Sequence, residues 1–160
     1  PYDAVAQRVE GRLKKLLISD MDSTMITVEC IDELADFVGK KPEVAGITER
    51  AMNGELPFEA ALRERVALLK GLPASVLGEC YNDRVTLMPG AKALVSAMRE
   101  AGAQCVLVSG GFTFFTGRVR DALGFHEDYA NLLEIEHGVL TGRVIAPILG
   151  KEAKLATLQA

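Results

Sequence analysis

Two aspartates, Asp20 and Asp22, follow the short apolar run of residues 16–18. Such a run is typical of a buried parallel strand, which needs no polar partner along its length. Both carboxylates are then expected at the carboxyl end of that strand, where open α/β sheets bind their ligands. Because two negative charges this close repel each other, the pair predicts a divalent cation, Mg²⁺, bound at Asp20 and Asp22. The alternative is a solvated loop with a helix N-cap, since Asp, Ser and Thr all cap helices.

A second candidate site is the turn Ser109, Gly110 and Gly111, which follows the apolar run of residues 105–108. We predict that this turn opens a helix, where free backbone N–H groups and the helix dipole favour an anion such as phosphate. The alternative is an ordinary strand-to-helix turn with a serine cap. Because adjacent strand ends lie about 5 Å apart, the turn and the two aspartates are expected to share one crevice.

Charged residues elsewhere could contact the substrate. Glu29 could meet an ammonium group and Arg65 could bind a carboxylate through two hydrogen bonds. The alternative is that Glu29 and Arg65 form an ion pair inside a helical bundle or are two exposed charges. Without the other motifs, the sequence favours this alternative. Lys154, at the start of a late helix, could balance phosphate charge, although most lysines are exposed and Lys151 is a rival.

The periodicity of apolar residues predicts an α/β protein. Strand, helix, strand and helix in succession imply a Rossmann-like parallel sheet, and residues 134–144 have the alternation of a hairpin. Residues 27–87 have the pattern of four short amphipathic helices, a bundle inserted as a cap over the sheet. The core is then formed by residues 16–26 and 88–160. Residues 1–15 carry Val5, Val9 and Leu13 at helical spacing and predict a leading helix or linker.

Composition limits the class of protein. With 49% apolar and 25% charged residues in 160, the chain is typical of a globular domain with a real core. The net charge of −4 argues against nucleic-acid binding, and the apolar runs are too short to span a bilayer. Three scattered cysteines favour reduced core thiols in a cytoplasmic protein. A homodimer is an option that the sequence leaves open.

These motifs together resemble the haloacid dehalogenase superfamily, and within it most closely the phosphoserine phosphatase family. The resemblance extends over residues 16–160, and the combination of Asp20-Met21-Asp22-Ser23-Thr24 with Val108-Ser109-Gly110-Gly111-Phe112 is highly specific. Matching segments are residues 20–25, 29–34, 52–54, 58, 62–66, 89–91, 108–112, 140–142 and 154.

The resemblance implies a Mg²⁺-dependent phosphatase that releases L-serine from O-phospho-L-serine, the last step of serine biosynthesis. It implies that Asp20 is the nucleophile that becomes an aspartyl-phosphate, and that Asp22 is the general acid and base. Mg²⁺ would be bound by the Asp20 carboxylate and the Asp22 carbonyl. The phosphoryl group would be held by Ser109, Gly110 and Lys154, and the amino-acid head by Glu29 and Arg65, with lid residues Met52 and Phe58. Periodicity alone places Met52 and Phe58 in the core.

The sequence departs from the family at one motif. The family has a fourth, GDGxND-like motif that supplies a further metal-binding aspartate, and no stretch of the 160 residues matches it. We therefore expect a core truncated at its C-terminal end and a piece that is inactive or nearly so by itself. Two alternatives are a related enzyme for another phosphorylated amino acid, such as phosphohomoserine, and a non-catalytic phosphate-binding fragment.

Overall fold

A computed structural model of the chain describes residues 2–150, 152 and 155. Helices and strands alternate as the α/β prediction requires, and one four-stranded sheet forms the centre. The strands are β1 (Leu16–Ser19), β2 (Gln104–Phe112), β3 (Glu127–Glu136) and β4 (Val139–Ile145). The helices are α1 (Cys30–Asp36), α2 (Lys41–Met52), α3 (Phe58–Ala67), α4 (Ser75–Arg84), α5 (Ala91–Glu100) and α6 (Thr113–Leu123).

The sheet has the strand order β1-β2-β3-β4. Strands β1 and β2 pair in parallel with Leu17 opposite Cys105, and β2 pairs in parallel with β3. The parallel sheet and the hairpin of β3 and β4, which pair antiparallel, are confirmed. Because β1 and β2 run side by side in one direction, their carboxyl ends lie at the same edge of the sheet.

Four helices lie between β1 and α5, as the sequence predicts. Proline and glycine set several of their ends. Pro42 stands at the start of α2, and Pro57 is the N-cap of α3 with an extended conformation. Gly54 follows α2 with a positive φ of 77°, a conformation that glycine adopts without steric cost. These signals, read from sequence, therefore locate the helices well.

The two chain segments that bound the four helices pair with each other. Ile26 and Leu87 form an antiparallel bridge. Beside it the Thr27 N–H donates to the Thr86 carbonyl at 2.9 Å, and the Met88 N–H donates to the Met25 carbonyl at 2.9 Å. The helical segment thus leaves the sheet and returns to it at one place. This is the geometry of an insertion, and the division into core and cap stays a prediction.

A second connection joins the helices to the hairpin. After α3, the Gly71 N–H donates to the Leu140 carbonyl and the Leu140 N–H donates to the Leu72 carbonyl, each at 2.8 Å. Gly142 of β4 packs so closely that an added Cβ would lie 2.9 Å from the Lys70 Cβ. The C-terminal end of α3 is therefore fixed against β4.

One hydrophobic cluster runs through the sheet and the helices. Its members include side chains of the helical segment and of the sheet region that are almost fully buried: Leu34, Leu62, Leu69, Leu77, Leu107, Phe112 and Phe115. Burial of this kind contributes roughly 1.5–3 kcal/mol for each large apolar side chain. The cluster packs the helices against the sheet and so fixes the space between them.

The predicted leading helix is wrong. Residues 2–15 contain no helix, and Val5, Val9 and Leu13 are 80%, 84% and 69% exposed. A helix this short is marginal in water unless its apolar face packs against another element, and no described element covers these three residues. In the described part of the chain, no helix has the length and apolar character needed to cross a membrane.

Candidate active site

A cleft of about 1100 Å³ lies between the carboxyl ends of β1 and β2 and the helices above them. Its floor consists of residues that follow the two strands or end them, and its wall consists of residues from α1, α3 and their approaches. The floor residues are Asp20, Asp22, Ser109, Gly110 and Gly111, and the wall residues include Glu29, Ile31, Phe58, Leu62 and Arg65. Sequence reasoning did not single out Arg63, Ile148, Gly150 and Glu152, which also line the cleft.

Asp22 and Ser109 connect the two strand ends directly. The Ser109 hydroxyl donates to Asp22 Oδ2 at 3.3 Å, and the Cys30 N–H donates to Asp22 Oδ1 at 2.9 Å. Ser109 is only 3% exposed, and Asp22 is half-buried. The crevice shared by the aspartates and the glycine turn, which the sequence predicts, is present in the structure.

The environment of Asp22 favours its protonated form. Burial raises the pKa of Asp22, hydrogen bonds from Cys30 lower it, and the nearby charge of Asp20 adds to the rise. A carboxyl group with a raised pKa holds a proton more readily and can donate it to a leaving group. Asp20 also lines the cleft, and its Oδ1 accepts a hydrogen bond from the Met21 N–H at 2.8 Å.

The chemistry of the two aspartates fits Mg²⁺. In proteins this ion is usually bound through one or two carboxylates together with substrate phosphate oxygens and water. Asp20 and Asp22 provide oxygen ligands in one cleft, and the repulsion between them is what a cation would offset. Among residues 2–150, 152 and 155, no group of three or more His, Cys, Asp or Glu side chains could hold a metal ion.

The glycine turn differs from its prediction in one respect. Strand β2 continues through Ser109 to Phe112, and α6 begins at Thr113, so the turn does not open the helix directly. The Gly111 N–H donates to the Ser109 hydroxyl at 2.9 Å. An added Cβ on Gly111 would lie 2.7 Å from Asp22 Oδ2, and one on Gly110 would lie 2.9 Å from the Phe58 ring. A side chain at Gly111 would therefore displace Asp22, and one at Gly110 would displace the Phe58 ring.

Asn131 of β3 supports this turn from below. Its side chain is 1% exposed. The amide nitrogen donates to the carbonyls of Gly110 at 2.9 Å and Leu149 at 3.2 Å, and its oxygen accepts from the Leu149 N–H at 2.7 Å. Sequence reasoning missed this residue. The available signal was a single amide among apolar residues of a strand, since a buried polar side chain requires partners.

Glu29 lies at the start of α1, and its carboxylate is held by Ser23. The Ser23 hydroxyl donates to Glu29 Oε1 at 2.6 Å. Ser23 has a positive φ of 50°, which turns the chain so that Glu29, six residues later, comes back beside it. Burial raises the pKa of Glu29, whereas the hydrogen bond from Ser23 lowers it.

Arg65 of α3 lies on the wall in the field of several carboxylates. Its Nε donates to the Ala61 carbonyl at 3.3 Å and its Nη1 donates to the Thr48 hydroxyl at 3.4 Å. Burial lowers the pKa of Arg65, and the charges of Asp32 and Glu29 act in the opposite direction. Within the described part of the chain, Arg65 has no acidic partner within 4.0 Å, so the ion pair with Glu29 considered from sequence is absent.

The other predicted site residues have different positions. Phe58 begins α3, is 41% exposed and lines the cleft against Gly110. Met52, at the end of α2, is 83% exposed and is not among the residues that line the cleft. The core positions that periodicity predicts for Met52 and Phe58 are therefore both wrong, since Phe58 faces the cleft and α2 buries only Val44. Lys154, like Lys151, lies outside the described residues.

Comparisons with known proteins agree with this architecture. Residues 17–160 match the family of haloacid dehalogenase-like hydrolases. A curated phosphoserine phosphatase from Polaromonas sp. (strain JS666) is 53% identical over 132 residues, which cover 82% of this chain and 56% of that protein. The chain spans about half the length of the curated relatives it matches.

Two solved structures have similar folds. A phospho-aspartyl intermediate analogue of phosphoserine phosphatase has a TM-score of 0.84 and 38% identity, covering 92% of this chain and 70% of that chain. A substrate-bound phosphoserine phosphatase complex also has a TM-score of 0.84 and 38% identity, covering 91% of this chain and 69% of that chain.

Proposed function

The chain belongs to the haloacid dehalogenase-like hydrolase family, and on this premise we propose that the protein hydrolyses O-phospho-L-serine to L-serine and phosphate. The observation that carries the proposal is the hydrogen bond between Ser109 and Asp22, which joins the glycine turn to the acidic pair in one cleft. The wall of that cleft holds one acidic and one basic side chain, Glu29 and Arg65. Their charges match the ammonium and carboxylate groups of phosphoserine.

In the first step, an Asp20 carboxylate oxygen attacks phosphorus while the bond from phosphorus to the serine oxygen breaks. Asp22 donates its proton to the departing serine oxygen, a role that its raised pKa supports. The product of this step is an aspartyl-phosphate at Asp20 and free L-serine. In the second step, Asp22 removes a proton from water, the water oxygen attacks phosphorus, and the bond to Asp20 breaks.

Phosphoryl transfer depends mainly on positioning and on neutralising negative charge. When Mg²⁺ is bound, it supplies charge neutralisation at the phosphoryl oxygens, with the Asp20 carboxylate and the Asp22 carbonyl as its ligands. The Ser109 hydroxyl and the backbone of Gly110 hold the phosphoryl group, which can approach closely because neither Gly110 nor Gly111 has a side chain. We extend the proposal to Lys154 as a further partner of the phosphoryl oxygens.

The wall selects the ester. Arg65 binds the carboxylate and Glu29 binds the ammonium group, while Phe58 covers the cleft above Gly110. The residues 27–87 then act as a cap that limits the access of bulk water during the first step. Met52, which lies outside the cleft lining, would join the lid only through a change of the α2–α3 turn.

The decisive experiment is trapping in the intact protein. Incubation with beryllofluoride and Mg²⁺ is expected to give a stable adduct on Asp20, detected by fluorine NMR, and Asp20→Asn is expected to give none. Phosphoserine binding without an adduct or turnover would instead identify a non-catalytic phosphate-binding module. A kcat/KM for phosphohomoserine equal to or above that for phosphoserine would assign the other substrate.

We also propose that the 160 residues alone are inactive or nearly so. The support is that this sequence has no GDGxND-like stretch. Among the described residues, the proposed metal site therefore consists of Asp20 and Asp22 without a third carboxylate. Purified to homogeneity and assayed with Mg²⁺, this piece is expected to release little phosphate from phosphoserine. Rapid Mg²⁺-dependent turnover by the piece would contradict this part of the proposal without affecting the substrate assignment.

A further inference from the structure

Each charged side chain of the pair on the wall, Glu29 and Arg65, has a hydroxyl group as a hydrogen-bond partner. Ser23 donates to Glu29 Oε1 at 2.6 Å, and Thr48 accepts from Arg65 Nη1 at 3.4 Å. We infer that Ser23 and Thr48 are positioning residues that orient Glu29 and Arg65 toward the ammonium and carboxylate groups of the substrate. The inference rests on the proposed function, because it assigns the wall to the amino-acid head of phosphoserine.

The hydrogen-bonding capacity of Thr48 sets the direction of its contact. A hydroxyl has one donor and two acceptor positions. Thr48 donates to the Val44 carbonyl at 3.0 Å, which uses its single proton, so its oxygen can only accept from Arg65. Together with the bond from Arg65 Nε to the Ala61 carbonyl, this gives the guanidinium two hydrogen-bond partners that favour one orientation.

These two bonds leave part of the guanidinium available. Guanidinium has five N–H donors, and the bonds to Ala61 and Thr48 use Nε and one of the two terminal nitrogens. In the described part of the chain Nη2 donates no hydrogen bond, and Arg65 lines the cleft. A carboxylate in the cleft would therefore meet donors that are already oriented, which reduces the entropy lost on binding.

Ser23 acts on Glu29 in the corresponding way. A carboxylate only accepts hydrogen bonds, so the Ser23 proton is directed at Oε1, and Oε2 accepts no hydrogen bond from the residues that the structure describes. The left-handed backbone of Ser23, φ 50°, brings its hydroxyl to this position. Ser23 also follows Asp22 directly, so the same turn places the general acid and the ammonium-binding carboxylate relative to each other.

Two truncated substrates separate the two roles. O-Phosphoethanolamine keeps the ammonium group and lacks the carboxylate, whereas the phosphate ester of 3-hydroxypropionate keeps the carboxylate and lacks the ammonium group. Each is measured in the intact protein as a substrate, and as a competitive inhibitor of phosphoserine turnover where its own turnover is slow. Melting temperatures of all variants are recorded alongside.

We expect opposite patterns for the two sites. Ser23→Ala should lower kcat/KM, or raise Ki, roughly tenfold for phosphoserine and phosphoethanolamine, since the lost hydrogen bond is to a charged group. The values for the carboxylate-only ester should not change. Thr48→Val should lower kcat/KM, or raise Ki, for phosphoserine and the carboxylate-only ester. The change should be smaller than that of Ser23→Ala because the contact of Thr48 is longer, and the values for phosphoethanolamine should not change. Thr48→Ser keeps the hydroxyl and should restore the wild-type values.

The backbone strain at Ser23 requires its own control. Ser23→Gly removes the hydroxyl and tolerates a positive φ without strain, so a loss caused by the hydroxyl should be the same for the glycine and alanine variants. Equal losses on all three esters, or a loss in the alanine variant alone, would show a structural effect and overturn the inference. Unchanged kinetics in the variants would overturn it as well.

Direct substitutions distinguish a failure of this inference from a failure of the proposed function. Glu29→Gln and Arg65→Ala are measured on the same three compounds. If both leave phosphoserine turnover unchanged, or if the intact protein does not hydrolyse phosphoserine, the assignment of the wall fails and the inference with it. If both show the expected selectivity and the hydroxyl variants do not, only the positioning role of Ser23 and Thr48 is wrong.

Discussion

The floor and the wall of the cleft are built in different ways. Floor contacts involve short side chains and backbone groups at strand ends, such as the bonds that Asp22 accepts from Ser109 and Cys30. The wall presents long side chains from helices, and Glu29 and Arg65 are each held by a hydroxyl. Substitutions in the floor should therefore affect every phosphate ester, whereas substitutions in the wall should change which ester is preferred.

The largest effect is expected at the proposed nucleophile. Asp20→Asn removes the carboxylate that attacks phosphorus, and turnover of all esters should fall by about 10⁴-fold or more. Steady-state phosphate release measures this, and the melting temperature shows whether the variant is folded. Residual activity above a tenth of the wild-type value would remove Asp20 from the chemistry.

A methyl group in the floor should have the next largest effect. The Cβ of Gly111→Ala would lie 2.7 Å from Asp22 Oδ2 and 3.1 Å from the Ser109 hydroxyl oxygen, so both groups must move. A displacement of about 1 Å can lower activity roughly 100-fold, with equal loss on phosphoserine and on esters without a carboxylate. Gly117→Ala is the matched control, because nothing lies within 4 Å of an added Cβ in α6; similar losses in both variants would contradict the prediction.

The wall should respond selectively. Arg65→Ala should raise the KM for phosphoserine roughly 10- to 100-fold through loss of charge-assisted hydrogen bonds, with little change for phosphoethanolamine. Arg50→Ala serves as the control, since Arg50 is exposed, pairs with Glu64 and does not line the cleft. Equal losses on both esters would indicate a phosphatase without recognition of the amino-acid head.

Asn131 tests how far the floor depends on its support. Asn131→Leu would leave the carbonyl of Gly110 and the backbone groups of Leu149 without their partner. Because unsatisfied buried groups of this kind are destabilising, the free energy of unfolding should fall by about 1–3 kcal/mol. Urea denaturation measures this change. Asn82→Ala, at an exposed position of α4, should change stability by less than about 0.5 kcal/mol; a similar loss there would contradict this role of Asn131.

The smallest effect concerns the cysteines. Cys30, Cys80 and Cys105 are free and buried, and burial raises the pKa of each thiol, that of Cys80 to about 11. Because the thiolate is the reactive form, a thiol reagent at pH 8 should not modify the native protein. All three belong to one hydrophobic cluster and should become reactive at the same urea concentration. Earlier reaction of Cys30 and Cys80 would show that the helices unfold before the sheet.

The floor was predictable from sequence for a physical reason. Where two parallel strands are neighbours, their carboxyl ends lie at one edge of the sheet, so the residues that follow the two apolar runs come together. Proline and glycine likewise gave the helix ends, because their effect on the backbone is local. Alternation predicted the hairpin over residues 134–144, but it did not predict residues 127–133 of β3 as a strand.

The wall was less predictable because it depends on how helices pack. The contact between Ser23 and Glu29 depends on a left-handed backbone conformation at Ser23. The sequence gives no signal for this conformation, because the residue is not a glycine. Met52 has the spacing of a core residue, yet α2 buries only Val44. The apolar spacing of Val5, Val9 and Leu13 predicts a helix, but the structure has none there. An amphipathic helix this short is stable only where its apolar face packs against another surface.

The attachment of α3 to the hairpin has a mechanical consequence. Its ten residues extend about 15 Å, and the bonds between Gly71, Leu72 and Leu140 hold one end. Phe58 lies at the end of α3 farthest from this attachment, whereas Arg65 lies two residues before the attached end. A tilt of α3 about that end would therefore displace the aromatic ring farther than the guanidinium, so the entrance to the cleft could widen with little change at the proposed carboxylate site.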